Sequence, residues 1–171
     1  MGLDFTIYKK KVNETCGEAW KDINKWYNEN GYDKDCPREL AYGRKSWELV
    51  HALFPCSADY NDPENDPIVT KERWDMLMSK ISIIADTLDD VIRAFEIEEN
   101  LPDDYAEMVF TDTEKKFIAE YELWYNKSFG ETPTLGYYFS TGYIYSFWKA
   151  NEEVQKVFED PEWELRACVS Y

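Results

Sequence analysis

Leu3, Phe5 and Ile7 alternate with Asp4, Thr6 and Tyr8, and a period of two predicts an opening strand with one buried face. The same alternation returns at the other end of the chain, where Trp163, Leu165, Ala167, Val169 and Tyr171 interleave with Glu164, Arg166, Cys168 and Ser170. Between these strands the period lengthens. Thr15-Cys16-Gly17-Glu18 has the spacing of a capping box, and Trp20, Ile23, Trp26 and Tyr27 follow at helical steps as far as Gly31. After Pro37 a second helical pattern runs through Leu40, Trp47, Val50, Leu53 and Phe54. Thr70 caps a long amphipathic helix, with Val69 and Trp74 placed as a hydrophobic staple. Its apolar stripe is Trp74, Leu77, Met78, Ile81, Ile84, Ala85, Leu88, Val91, Ile92 and Phe95, and Pro102 ends the run. Another helix is predicted from about Thr113, packing through Phe117, Tyr121, Trp124 and Tyr125. Leu135 to Thr141 reads as a strand, and Tyr143 to Phe158 returns to helical spacing. About three short strands with four or five helices predict an α+β fold, a small sheet covered by helices, in a single domain over 1–171.

Charge narrows the function. The chain carries a formal net charge of −16, yet residues 1–50 hold nine basic and nine acidic side chains, so the whole excess lies in 51–171. Nine acids between 86 and 107 face the single Arg93, and six acids between 151 and 164 face Lys156. Such a chain is repelled by phosphate backbones and anionic lipid, which argues against direct nucleic-acid or membrane binding. No apolar run approaches the length of a membrane span. The N-terminal residues lack the basic-then-apolar layout of a secretory signal, which predicts a cytoplasmic protein. Cys16, Cys36, Cys56 and Cys168 form no C-x-x-C pair and read as reduced core fillers. His51 is the only histidine, so H-E-x-x-H zinc chemistry is absent, and no cofactor is expected.

Four constellations carry candidate chemistry. Arg44, Glu48 and His51 stand at i, i+4 and i+7, one face of a predicted helix, with Lys45 beside them. With Tyr42 or Tyr137 as a stacking ring they would cradle a nucleotide or phosphate; the plainer reading is a helix-surface ion pair. Asp59, Asn61, Asp62, Glu64 and Asp66 suggest calcium, but Pro63 and the missing glycine fail the EF-hand pattern, leaving a solvated acidic loop. Asp86-Asp89 and Asp104-Glu107 have the spacing with which helical nucleotide pyrophosphatases hold magnesium; a solvated helix face is the plainer reading. Finally, Tyr137, Tyr143 and Tyr145, in an acidic surround with Asp86, Asp89 and Asp90, have the composition of an interface for a basic partner.

Three segments resemble a family of small uncharacterised proteins of tailed bacteriophages and prophages. They are the Met1-Gly2-Leu3-Asp4 opening, the Tyr42-Gly43-Arg44-Lys45 segment leading to His51, and the glycine-aromatic stretch Gly136 to Tyr145. The resemblance implies an accessory protein expressed in a bacterial cytoplasm, with no catalytic activity to carry over. Combined with the acidity, it predicts a non-enzymatic protein that binds and inhibits a host protein with a basic surface, such as a nucleic-acid-handling defence component. The alternatives are a protein that sequesters a nucleotide signal through Tyr42, Arg44, Lys45 and His51, and a magnesium-dependent nucleotide pyrophosphatase.

Overall fold

The structure, a computed structural model, describes residues 4–44, 47–54, 65–88, 111–130 and 139–170. Strand β1 (Asp4–Lys11) forms the middle of a three-stranded antiparallel sheet, flanked by β2 (Glu39–Arg44) and β3 (Trp163–Ser170). Against β3 the register is regular, from Asp4 opposite Ser170 to Lys11 opposite Trp163. Against β2 it runs from Asp4 opposite Arg44 to Ile7 opposite Ala41, and a bulge then sets Tyr8 opposite Glu39. The outer edge of β3 is covered by 67–69: Ala167 donates to the Pro67 carbonyl (3.1 Å) and Val69 to the Leu165 carbonyl (3.0 Å).

As the central strand, β1 is buried on both faces, where alternation alone predicted one. Phe5 and Ile7 join the main core with Ala41, Leu165, Ala167 and Val169. On the other face Tyr8 packs with Ala19 and Ile23 of α1 (Cys16–Asn30). The expected capping box is formed at the start of α1, and Gly31 (φ 95°) closes it by donating to the Tyr27 carbonyl at 2.8 Å. Cys16 and Cys36 are buried on this side as small fillers, and Cys168 is half-buried beside them.

Two expectations are corrected. The segment after Pro37 is not one helix: Glu39–Arg44 is strand β2, and α2 (Trp47–Leu53) begins only afterwards. Its inward residues, Ala41 and Gly43, are small because β2 lies close to the core, where a Cβ on Gly43 would overlap the Phe5 ring. Small residues give no apolar alternation to read. Second, the strand expected over Leu135 to Thr141 fails where it can be seen: Phe139, Ser140 and Thr141 lie in the first turn of helix α5 (Phe139–Glu159), and 131–138 lie outside the described residues.

The helix capped by Thr70 is present as α3 (Lys71–Ile81), with Trp74, Leu77, Met78 and Ile81 buried. It does not run straight on. A turn at 82–84 precedes more helix at 85–88. The Lys80 carbonyl is taken by the Trp124 indole N–H (2.9 Å), while the Ser79 and Ser82 hydroxyls donate to carbonyls three residues back. Side-chain bonds of this kind compete with the helical ladder. Ile84 and Leu88 nevertheless stay buried as the stripe predicts, whereas Val91, Ile92 and Phe95 lie outside the described residues. Helix α4 (Asp112–Phe129) packs through Tyr121, Trp124 and Tyr125 as expected. α5 joins the layer through Phe147, whose ring lies 5.4 Å from Phe5 and 5.7 Å from Trp74. No helix among the described residues is long and apolar enough to cross a membrane.

Candidate functional site

Strand β2 and α5 border an open cleft of about 680 Å³, lined among others by Lys9, Tyr27, Glu39, Tyr42, Lys149 and Glu153. At the Tyr42 end of the cleft, residues that the sequence assigned to two different readings come together. Tyr42 and Arg44 come from β2, and Tyr143 comes from α5, its ring edge-on to Tyr42 at 5.6 Å. Asp4 sits among them: Arg44 Nε lies 3.3 Å from its carboxylate. Burial first, then a hydrogen bond to Asp4, push the Tyr42 hydroxyl up to about 12. Burial also raises Tyr143, with Arg44 opposing and Asp4 adding to the rise. Tyr145 is half-buried, with Lys149 Nζ 4.8 Å above its ring.

The proposed anion cradle is not assembled as the sequence suggested. Arg44 is on a strand and His51 is exposed on α2, so the two do not share a helix face. Lys45 and Tyr137 lie outside the described residues. Strand alternation places Arg44 with Tyr42 toward Asp4, which a helical reading of 42–51 could not foresee.

On the opposite face of the sheet lies a polar network that sequence reasoning missed. Asp66, 5% exposed, accepts from the Tyr8 hydroxyl (2.7 Å) and from the Trp20 indole N–H (3.0 Å) through one carboxylate oxygen. Arg166 donates to the Asp66 backbone carbonyl at 2.6 Å and pairs with Glu164 at 2.7 Å. Glu164 also holds the buried Lys10, 4% exposed, at 2.6 Å. Asp66 therefore belongs to the interior, not to a solvated acidic loop; Asp59, Asn61, Asp62 and Glu64 lie outside the described residues. Burial, then the bond to Asp66, hold the Tyr8 hydroxyl far above the ordinary phenol range. Burial raises Glu164, but the bonds and charges of Lys10 and Arg166 outweigh it and leave the carboxyl below its usual range. Burial lifts the Cys168 thiol to about 11.

No family model, curated protein or solved structure matches this chain.

Asp86 is exposed, and Asp89, Asp90, Asp104 and Glu107 lie outside the described residues. Among the described residues no three His, Cys, Asp or Glu side chains are grouped so as to hold a metal ion. A second acidic surface is on view at the end of α5 and in the turn after it. Glu152, Glu153, Glu159 and Glu162 are exposed there, with Asp160 half-buried. Lys156 pairs with two of them, 3.1 Å from Glu152 and 2.6 Å from Glu153, and the charge of Lys9 also reaches Glu153. Sequence reading flagged the charge of this stretch without making it a site; six acids between 151 and 164 were the signal.

Proposed function

We propose that this chain is a non-enzymatic accessory protein of the phage type that binds and restrains a host protein through a basic surface, such as one that handles nucleic acid. One observation carries the reading: in a chain of net charge −16, the carboxylates Glu152, Glu153, Glu159 and Glu162 are all exposed over the end of α5 and the turn after it. An acidic face of this kind steers a basic partner into contact and fixes its orientation.

The test is capture of bacterial proteins from lysate on the immobilised chain, wild type against a Glu152→Lys/Glu153→Lys/Glu159→Lys variant. A basic protein should be retained by wild type, be lost from the variant, and elute between about 50 and 200 mM salt. Retention of the same protein by the variant, with unchanged salt dependence, would overturn the assignment. A second reading, sequestration of a nucleotide, is supported by the β2–α5 cleft, where Tyr27 and Tyr42 stand with Lys9 and Lys149. Thermal stabilisation by one specific nucleotide, abolished in Tyr42→Ala, would favour it.

A further inference from the structure

Between the end of α3 and helix α4 lies a groove of about 470 Å³, bordered by Lys80, Ile83, Ile84, Leu123, Trp124 and Lys127. Ile83 and Leu123 are each 73% exposed. Single exposed aliphatic side chains are ordinary; here two of them border one groove, beside an ordered set of charges. On α4 the neighbours of Leu123 are ordered. Lys116, Glu120, Leu123 and Lys127 follow at steps of three and four, so they form one stripe, and all four are exposed.

The stripe is complementary to itself when its direction is reversed. With a two-fold axis passing between Leu123 and Trp124, each Glu120 meets Lys127 of a second copy, and the two Leu123 side chains meet near the axis. Glu120 and Lys127 lie seven residues apart, about 10 Å along the helix, so both ion pairs and the apolar centre form together. Lys127 enters no ion pair among the described residues. Glu120 faces Lys116 at 3.8 Å, an exposed i,i+4 contact that is readily exchanged.

We propose that this stripe of α4, with the groove it borders, is the surface through which two copies of the chain pair as an antiparallel, two-fold symmetric dimer. The occupant is a second copy because an acid and a base set symmetrically about an apolar centre supply the reciprocal contacts, i to j and j to i, of an isologous interface. A uniformly basic or uniformly acidic partner would set one like charge against Lys127 or Glu120. The net charge of −16 on each copy opposes approach, but beyond about 8 Å it is largely screened at physiological salt, and the local pairs then decide. The inference is independent of the acidic face on α5.

Analytical ultracentrifugation of the purified chain at about 0.15 M salt tests it. Wild type should show a concentration-dependent monomer–dimer equilibrium. Glu120→Lys and Lys127→Glu, each alone, should raise the dissociation constant roughly tenfold, since every reversal acts twice across the axis. The double variant Glu120→Lys/Lys127→Glu restores both pairs and should return close to wild type. Leu123→Asp should weaken association roughly thirtyfold or more. All these positions are exposed, so circular dichroism melts should match wild type. A wild-type chain that remains monomeric up to about 1 mM, or a double variant as weak as either single one, would overturn the proposal.

Discussion

Asp66→Ala removes the acceptor on which two buried donors converge. The Tyr8 hydroxyl (2.7 Å) and the Trp20 N–H (3.0 Å) share one oxygen of a residue only 5% exposed. Each orphaned donor costs about 1–3 kcal/mol, so the pair costs about 2–6 kcal/mol. That is a large part of the roughly 5–15 kcal/mol that holds a domain together. At about 2–4 °C per kcal/mol for a chain of this size, the midpoint of thermal unfolding should fall by on the order of 10 °C. Asp66→Asn keeps a carbonyl oxygen in place and should lose only about 1–2 kcal/mol. Arg166 binds the Asp66 backbone carbonyl, which neither substitution removes. Urea unfolding followed by circular dichroism gives the free energies, and a cycle with Tyr8→Phe separates the contributions. The double variant should lose less than the sum of the single losses, because Tyr8→Phe removes the donor that Asp66→Ala strands. An Asp66→Ala variant within about 0.5 kcal/mol of wild type, or a strictly additive cycle, would refute the account.

Ile84→Asp should unfold the domain, since Ile84 is 5% exposed in the main core and an unpaired buried charge costs several kcal/mol; a variant with native melting behaviour would remove Ile84 from the core. Gly43→Ala should cost about 1–3 kcal/mol, because the new methyl overlaps the Phe5 ring; an unchanged urea midpoint would show that Phe5 has room to yield. Glu164→Ala takes the carboxylate from the buried Lys10 ammonium, which keeps only the neutral Lys11 and Glu14 carbonyls (3.0 and 2.7 Å), and should cost about 3 kcal/mol, while Glu164→Ala/Lys10→Met should recover part of it in the same assay. Stability should also fall in alkali. Tyr8 and Cys168 have folded values above their unfolded ones, so the folded chain keeps protons that the unfolded chain releases. Their contribution is complete below about pH 9 and is lost as the pH climbs past about 9 for the thiol and about 10 for the phenol. Thermal melts that are flat from about pH 8 to 11 would contradict this.

The sequence carried those parts of the fold whose period is fixed by burial on a single side. Trp163 to Val169 alternates because β3 turns one face to the main core, and the stripe from Trp74 to Leu88 is regular because α3 does the same. β2 was unreadable because its inward positions are Ala41 and Gly43 and its bulge breaks the alternation. The strand read over Leu135 to Thr141 rested on aromatic content, which did not reveal that Phe139, Ser140 and Thr141 open α5. The Asp66 network was invisible for another reason: its members, Tyr8, Trp20 and Arg166, lie far from it in sequence, and polar pairing over such separations leaves no periodic trace. Of the candidate site, Tyr42 and Arg44 were named in one constellation and Tyr143 in another, and the strand geometry of β2 is what brings the three together around Asp4. Ile83 falls off the apolar stripe read from Trp74 to Phe95 and Leu123 off the packing face of α4, which is why neither stood out before their exposure was known.

The pairing of β1 with β3 has a consequence for synthesis. Ile7 finds Ala167 across about 160 residues of chain, a closure that costs about 4.5 kcal/mol of loop entropy. On a ribosome adding about 5–20 residues per second, β1 waits on the order of 10–30 s for its partner. Throughout that interval the central strand has a bare edge, and Tyr8 and Lys10 lack the cross-strand neighbours Arg166 and Glu164. An unpaired edge of this kind invites other chains. A nascent chain stalled before Trp163 should therefore be a preferred client of chaperones and proteases, while one that has passed Ser170 should escape them.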